Sequence, residues 1–182
     1  MAPSHKQILR NKENFPVSPI YWVFQNSAMS KSKNPHGRDL RKGRHPQTGR
    51  IYFITTSTKD RLPWFIESDL ASLMSGLIES YLNNKHCRCL CWVVMPDHIH
   101  LLIELQSTML AGTINRLKSG SARILNRQIG RAGPFWQSGF DDHALRREED
   151  IKEVARYIVG NPIRAGLVEK FGDYPFWNAV WL

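Results

Sequence analysis

The sequence predicts an α+β fold of the ferredoxin-like, split βαβ type: an antiparallel sheet with an extra helix at its C-terminal end. Three observations carry that prediction. Residues 51–56 are β-branched and aromatic. Residues 87–95 and 98–105 are two apolar runs joined tightly at Pro96-Asp97, the pattern of a hairpin. Two further segments, 67–83 and 108–129, space their apolar residues by three and four, the period of a helix with one buried face. The order strand, helix, strand, strand, helix, strand, helix then places the helices on one face of the sheet and leaves the other open. An open face of this kind is a common platform for nucleic acid.

Each element follows from its own residues. Ile51-Tyr52-Phe53-Ile54-Thr55-Thr56 makes the first strand. Leu70, Leu73, Met74, Leu77, Ile78, Tyr81 and Leu82 form the stripe of the first helix. The second strand carries Cys87, Cys89 and Cys91, which alternation puts on a single face as buried free thiols. That spacing does not suit zinc. Leu110, Ile114, Leu117, Ile124 and Leu125 form the stripe of the second helix. Residues from Phe135 and Trp136 to His143 supply a short fourth strand. The last helix runs from about Glu148, with Asp150 near its start, to Asn161, and Pro162 stops it. Trp92 lies in an apolar strand and reads as core, while Trp136 offers a ring on which bases could stack. Phe176, Trp177 and Trp181 read as a C-terminal plug over apolar surface.

Length and charge divide the chain. Its 182 residues suit one domain with an appendage. Residues 1–50 hold 10 Lys/Arg against 2 Asp/Glu, so they carry nearly all of the net charge of +9. Residues 1–48 therefore read as a basic, largely irregular extension, and residues 49–182 as the folded domain. A basic arm is either a solvated tail or a contact for a polyanion, nucleic acid before membrane. Within the extension, the apolar stretch from Phe15 to Phe24 could dock on the domain, and translation could begin at Met29. No apolar run has the length to cross a bilayer and no signal-peptide core is present, which points to a cytoplasmic protein without a membrane partner.

His98 and His100 are the most informative pair. Two residues apart on a strand, they point to the same side. Alone they read as ordinary polar residues on a wet face; with oxygen ligands from elsewhere they make a metal site. Tyr157 and Asn161 stand at i and i+4 on the last predicted helix, one turn apart on one face. If that face meets the histidines, two imidazoles and the Asn161 carboxamide oxygen can hold a divalent cation. Tyr157 can then attack a phosphate bound there. A phenol with a pKa of ~10 is a weak nucleophile without such help. The bland alternatives are a core tyrosine and an asparagine that only ends a helix before Pro162. His143 either joins the site, orients DNA or makes a structural hydrogen bond, and Glu104 is peripheral. Arg116, Arg123 and Arg127 share a face of the second helix with Lys118 close by, either a solvated face or a phosphate track. Arg38, Arg41, Lys42, Arg44 and Arg50 are further candidates for DNA contact.

The two motifs together resemble a known family. Met95-Pro96-Asp97-His98-Ile99-His100, followed by Tyr157-Ile158-Val159-Gly160-Asn161-Pro162-Ile163-Arg164-Ala165-Gly166-Leu167-Val168, is similar to the single-tyrosine HUH transposases. More narrowly it resembles the REP-associated tyrosine transposases of bacteria. The likeness runs from about Gly49 to Trp181 and includes 139–143 and 174–177, with residues 1–48 outside its strongest part. The resemblance implies that the HUH strand is central and that the extra helix carries the nucleophile. It also implies cleavage of single-stranded DNA by Tyr157, giving a 5′-phosphotyrosine and a free 3′-OH, then strand transfer. His98, His100 and Asn161 would hold Mg2+ or Mn2+. The substrate implied is a hairpin-forming repetitive extragenic palindrome with a 5′ guide sequence, bound by a monomer or a homodimer. Three rival readings stay open: a domesticated relative that binds palindromes without cutting, a ferredoxin-like RNA binder, and a metal-dependent hydrolase using water.

Overall fold

The structure is a computed structural model and describes residues 49–107, 109–146 and 151–181. The basic extension, including Arg38, Arg41, Lys42 and Arg44, lies outside the described residues, as do Glu148 and Asp150. In chain order the elements are β1 (Arg50–Ser57), α1 (Ser68–Leu82), β2 (Cys87–Met95), β3 (His98–Leu105), α2 (Leu110–Gln128), β4 (Asp141–Ala144), α3 (Ile151–Val159), the short α4 (Asn161–Arg164) and β5 (Trp177–Ala179). The strands form one sheet in the order β4-β1-β3-β2-β5, and every neighbouring pair is antiparallel. This is the split βαβ arrangement, with β3 at its centre and β5 added to the edge beside β2. No helix among the described residues is long and apolar enough to cross a membrane.

Alternation along the strands makes two unlike faces. On the first, Tyr52 and Ile54 of β1, Ile99, Leu101 and Ile103 of β3, and Trp92 and Val94 of β2 pack under α1 and α2. Ile114, Leu117 and Leu125 of α2 are fully buried there, as are Met74, Ile78 and Leu82 of α1. On the second face, Phe53, Leu102, Cys91, Val93 and Met95 pack under Val154, Ala155, Ile158 and Val159 of α3. The expectation of helices on one face only is therefore corrected. The second face is apolar along its middle rows, and α3 covers what would otherwise be exposed hydrocarbon.

Three local expectations are corrected for similar reasons. Cys91 does not share a face with Cys87 and Cys89. The β2–β3 register shifts between Cys89 and Cys91, so the extra residue turns Cys91 to the α3 side, where its thiol faces the Ala155 carbonyl at 3.8 Å. All three thiols are free and buried, as expected. The fourth strand is Asp141–Ala144, later than Phe135 and Trp136. Those two rings enter the first core against Phe65, at centroid distances of 5.8 Å and 5.7 Å, and Trp136 Nε1 donates to Ser121 Oγ at 3.0 Å. Trp136 is core, with no face for a base. Trp92 is core as expected, its indole donating to Glu79 at 2.6 Å. The C-terminal plug consists of Phe176 on the first core and Trp177 on the second, while Trp181 stays 39% exposed.

Candidate active site

The sheet register assembles a polar corner on the α3 face. His100 pairs across with Thr55 of β1, and His98 with Ser57. The Thr55 hydroxyl and His100 Nδ1 are 2.9 Å apart, and Asp97 Oδ1 lies 2.5 Å from His98 Nδ1. With each Nδ1 engaged by an oxygen, both rings turn Nε2 towards one point, and the two Nε2 atoms are 3.1 Å apart. Two nitrogen ligands about 2.1 Å from a common ion, at right angles, would stand about 3.0 Å apart. The pair thus fits a divalent cation, and outer oxygens on Nδ1 are the usual companions of metal-binding histidine. Burial pushes the His100 pKa well below its ordinary value, with His98, Arg164 and Arg61 acting in the same direction, so His100 offers a lone pair at neutral pH.

The segment after β1 clamps this corner from outside. Thr58 is fully buried: its N–H and hydroxyl donate to the Asp97 carbonyl at 2.9 Å and 3.0 Å, and the hydroxyl also lies 2.7 Å from the Leu62 carbonyl. Beyond it, Asp60 and Arg61 both adopt left-handed backbone, φ 57° and 56°, a conformation costing ~1–2 kcal/mol per residue. That geometry brings the Arg61 guanidinium to Asp97 Oδ2 at 3.2 Å. Burial opposes ionisation of Asp97, but the His98 and Arg61 contacts outweigh it and hold the carboxyl below its usual range. Asp97 is therefore an anion bridging Arg61 to His98.

Tyr157 reaches the same face from α3. Its ring stands edge-on to Phe53 at 6.4 Å, and Phe53 stacks on the His100 ring at 5.3 Å. Phe53 is the physical link between nucleophile candidate and metal-ligand candidate. Asn161 is close, but not on the same helix as expected: α3 ends at Val159 and Asn161 opens α4, with Pro162 in its first turn rather than as a stop. The cause is Pro162 itself. Lacking an N–H, it cannot serve the Ile158 carbonyl four residues back. Asn161 Nδ2 does so instead, at 3.0 Å, and reaches the Tyr157 carbonyl at 3.2 Å. Both partners are acceptors, so the amide nitrogen faces the helix end and Oδ1 is the atom left to a ligand.

The other candidates are dispersed. His143 pairs with Phe53 across β1–β4 and so stands on the histidine face, one row from His100. Glu104 is further along β3, opposite Ile51 and Arg88. Arg50 opens β1 with its guanidinium over Tyr52. Arg116, Arg123 and Arg127 are exposed on α2, which packs on the opposite face of the sheet from the histidines. Lys118 is half-buried and donates to the carbonyls of Gln137, at 2.7 Å, and Gly139. Sequence reasoning missed Phe53, Thr55, Arg61, Asp97 and Arg164. Phe53 and Thr55 carry a signal in retrospect, since they alternate with the core residues Tyr52 and Ile54; partners that meet across the sheet leave none.

Known proteins resemble this chain in sequence and in fold. The family model described as Transposase IS200 like matches residues 47–161. A protein of Haemophilus influenzae named as a REP-associated tyrosine transposase is 30% identical over 142 residues, covering 70% of this chain and 78% of the relative. The REP-associated tyrosine transposase of Escherichia coli K12 is 26% identical over 131 residues, covering 70% and 75%. A solved structure of a REP-associated tyrosine transposase bound to a REP hairpin shares the fold, with a TM-score of 0.57 at 22% identity over 74% of this chain and 79% of that one. On its motifs, its fold and the match spanning 47–161, this chain belongs to the IS200-like transposase family, alongside REP-associated tyrosine transposases.

Proposed function

We propose that this chain cuts and rejoins single-stranded hairpin DNA through Tyr157. The observation that carries the reading is the convergence of the His98 and His100 Nε2 atoms, 3.1 Å apart, on the sheet face that also carries the Tyr157 ring. In the cutting step the phenol oxygen attacks the scissile phosphorus and its proton passes to solvent. The bond from phosphorus to the 3′ oxygen breaks, that oxygen takes up a proton, and the 5′ phosphate stays on Tyr157. In the joining step the 3′-OH of a second strand attacks the phosphotyrosine and the phenol is released with a proton. Both steps conserve one phosphodiester, so no external energy source is required.

His98, His100 and Asn161 Oδ1 would hold Mg2+ or Mn2+, which suit imidazole beside hard oxygen ligands. When bound, such an ion supplies charge that polarises the phosphoryl oxygens. Asp97 and Thr55 fix the imidazole orientations, and Phe53 keeps the Tyr157 ring beside them. The substrate class rests on the relatives: a fold neighbour is bound to a REP hairpin. Arg116, Arg123, Arg127 and Arg50 offer cations to the DNA backbone away from the cleft, which would place the duplex stem over the outer surface.

The test is a labelled single-stranded hairpin library incubated with manganese and run on a denaturing protein gel. Label migrating with the protein, and absent in Tyr157→Phe, supports the reading. Tight hairpin binding without any covalent species in Mg2+ or Mn2+ favours a non-cutting palindrome-binding protein. Cleavage that survives Tyr157→Phe favours water as the nucleophile.

A further inference from the structure

We propose that Arg164 is a positioning residue for Tyr157, acting through a guanidinium that lies over the phenol ring and anchors the end of α3. The inference rests on the reading of Tyr157 as the nucleophile. Arg164 Cζ stands 4.1 Å from the Tyr157 ring centroid, and Nη2 donates to the main-chain carbonyl of Tyr157. One side chain therefore holds both the ring and the backbone of the same residue. Phe53 also stands edge-on to this ring at 6.4 Å, so the phenol lies beside both a fixed cation and a ring stacked on His100.

The backbone explains why this arrangement forms. The break between α3 and α4 leaves carbonyls at the end of α3 without their helical donors, and the side chains of Asn161 and Arg164 supply replacements. A guanidinium also suits the negative end of the helix dipole. Gly160 makes the passage possible. A Cβ built there would meet Arg164 Nη1 at 2.8 Å, the Arg156 main-chain carbonyl at 3.0 Å and Arg164 Cζ at 3.7 Å, so a methyl group would push the guanidinium aside and crowd the end of α3 without changing any charge. Arg164 also differs from a plain DNA contact, since it is half-buried and contacts both the ring and the main chain of Tyr157.

The experiment measures single-turnover cleavage of a labelled hairpin and, separately, hairpin affinity by anisotropy. Wild type, Arg164→Ala, Arg164→Lys, Gly160→Ala, the Gly160→Ala/Arg164→Ala double variant and Tyr157→Phe are compared. Misplacing a nucleophile by about 1 Å costs on the order of 100-fold in rate. Arg164→Ala and Gly160→Ala are each expected to lose rate on that scale, with affinity held within about twofold, and the double variant to be no slower than either. Arg164→Lys keeps the charge but not the planar fork, and is expected to fall between wild type and Arg164→Ala. If Arg164→Ala does not fold, the Lys and Gly160 variants decide the matter: either one at the wild-type rate overturns the proposal. Rate loss matched by an equal loss of affinity also overturns it, in favour of a phosphate contact. Full adduct formation by Tyr157→Phe overturns the underlying assignment of the nucleophile; an inactive Tyr157→Phe beside fully active Gly160 and Arg164 variants overturns this inference alone.

Discussion

The two faces of the sheet are built from the same strands and do different work. Under α1 and α2, the first face is hydrocarbon through its middle: Ile54, Ile99, Leu101 and Ile103 are fully buried. Under α3, the second face begins in the same way, with Leu102 and Val93 fully buried, but changes to Thr55, His98 and His100 towards one end. His100 and Leu101 are chain neighbours, and the pleat sends one to the cleft and the other to the core. The contrast teaches that rigidity and chemistry are supplied by adjacent residues. The packed face fixes the backbone, and the fixed backbone sets the 3.1 Å spacing of the imidazoles.

The sharpest way to break that division is to remove function without touching the core. Tyr157→Phe is expected to lower adduct formation on the order of 10⁴-fold or more, with thermal unfolding essentially unchanged, as read by denaturing gels and a melting curve. A large fall in melting temperature would mean that the phenol belongs to the core. Next, Asp97→Ala is expected to weaken Mn2+ binding about 10- to 100-fold, measured by calorimetry, because His98 loses the carboxylate that orients it. Unchanged affinity would remove Asp97 from the site.

The reverse experiment damages the core without touching the site. Leu101→Ala is expected to cost about 2–5 kcal/mol in denaturant unfolding, while the refolded protein keeps its Mn2+ affinity. Smaller effects come from buried acids on both faces. Burial pushes Cys87 and Cys91 up to about 12 and raises Cys89 well above its ordinary value, so no thiol should react with a disulfide reagent at pH 8 until the protein is denatured. One fast-reacting thiol in the native state would contradict the burial of both faces. Tyr174 is likewise pushed up to about 12 by burial, its hydroxyl donating to the Val94 carbonyl at 2.6 Å. These groups keep their protons in the native state when the unfolded chain has lost them. Stability is therefore fully present below about pH 9, where unfolded thiols ionise, and falls as pH rises towards 12. Tyr174→Phe should flatten the part of that fall above about pH 10, and should cost about 1 kcal/mol at neutral pH. An unchanged alkaline limb in that variant would count against the hydrogen bond.

Much of the fold was legible because it depends on local period. The hairpin of β2 and β3 was read at its observed bounds, since two apolar runs flank a Pro-Asp turn. The helical stripes of α1 and α2 were read within a residue or two for the same reason. What failed was non-local. The extra residue beside Cys91 is visible only against β3, whose register it shifts. Trp136 looked free to stack because nothing in its neighbourhood announces Phe65 or Ser121.

By itself the sequence determined that His98 and His100 share one side of a strand, because the alternation of a pleated chain is geometric. It also determined that Tyr157 and Asn161 lie within one turn of each other. Only the tertiary structure decided that α3 crosses to the histidine face, that Phe53 bridges Tyr157 to His100, and that Asn161 and Arg164 serve the carbonyls at the end of α3. The physical reason is that period along a chain is set by covalent geometry. Which surfaces meet is set by the apolar area and the unpaired backbone groups that the whole fold must satisfy.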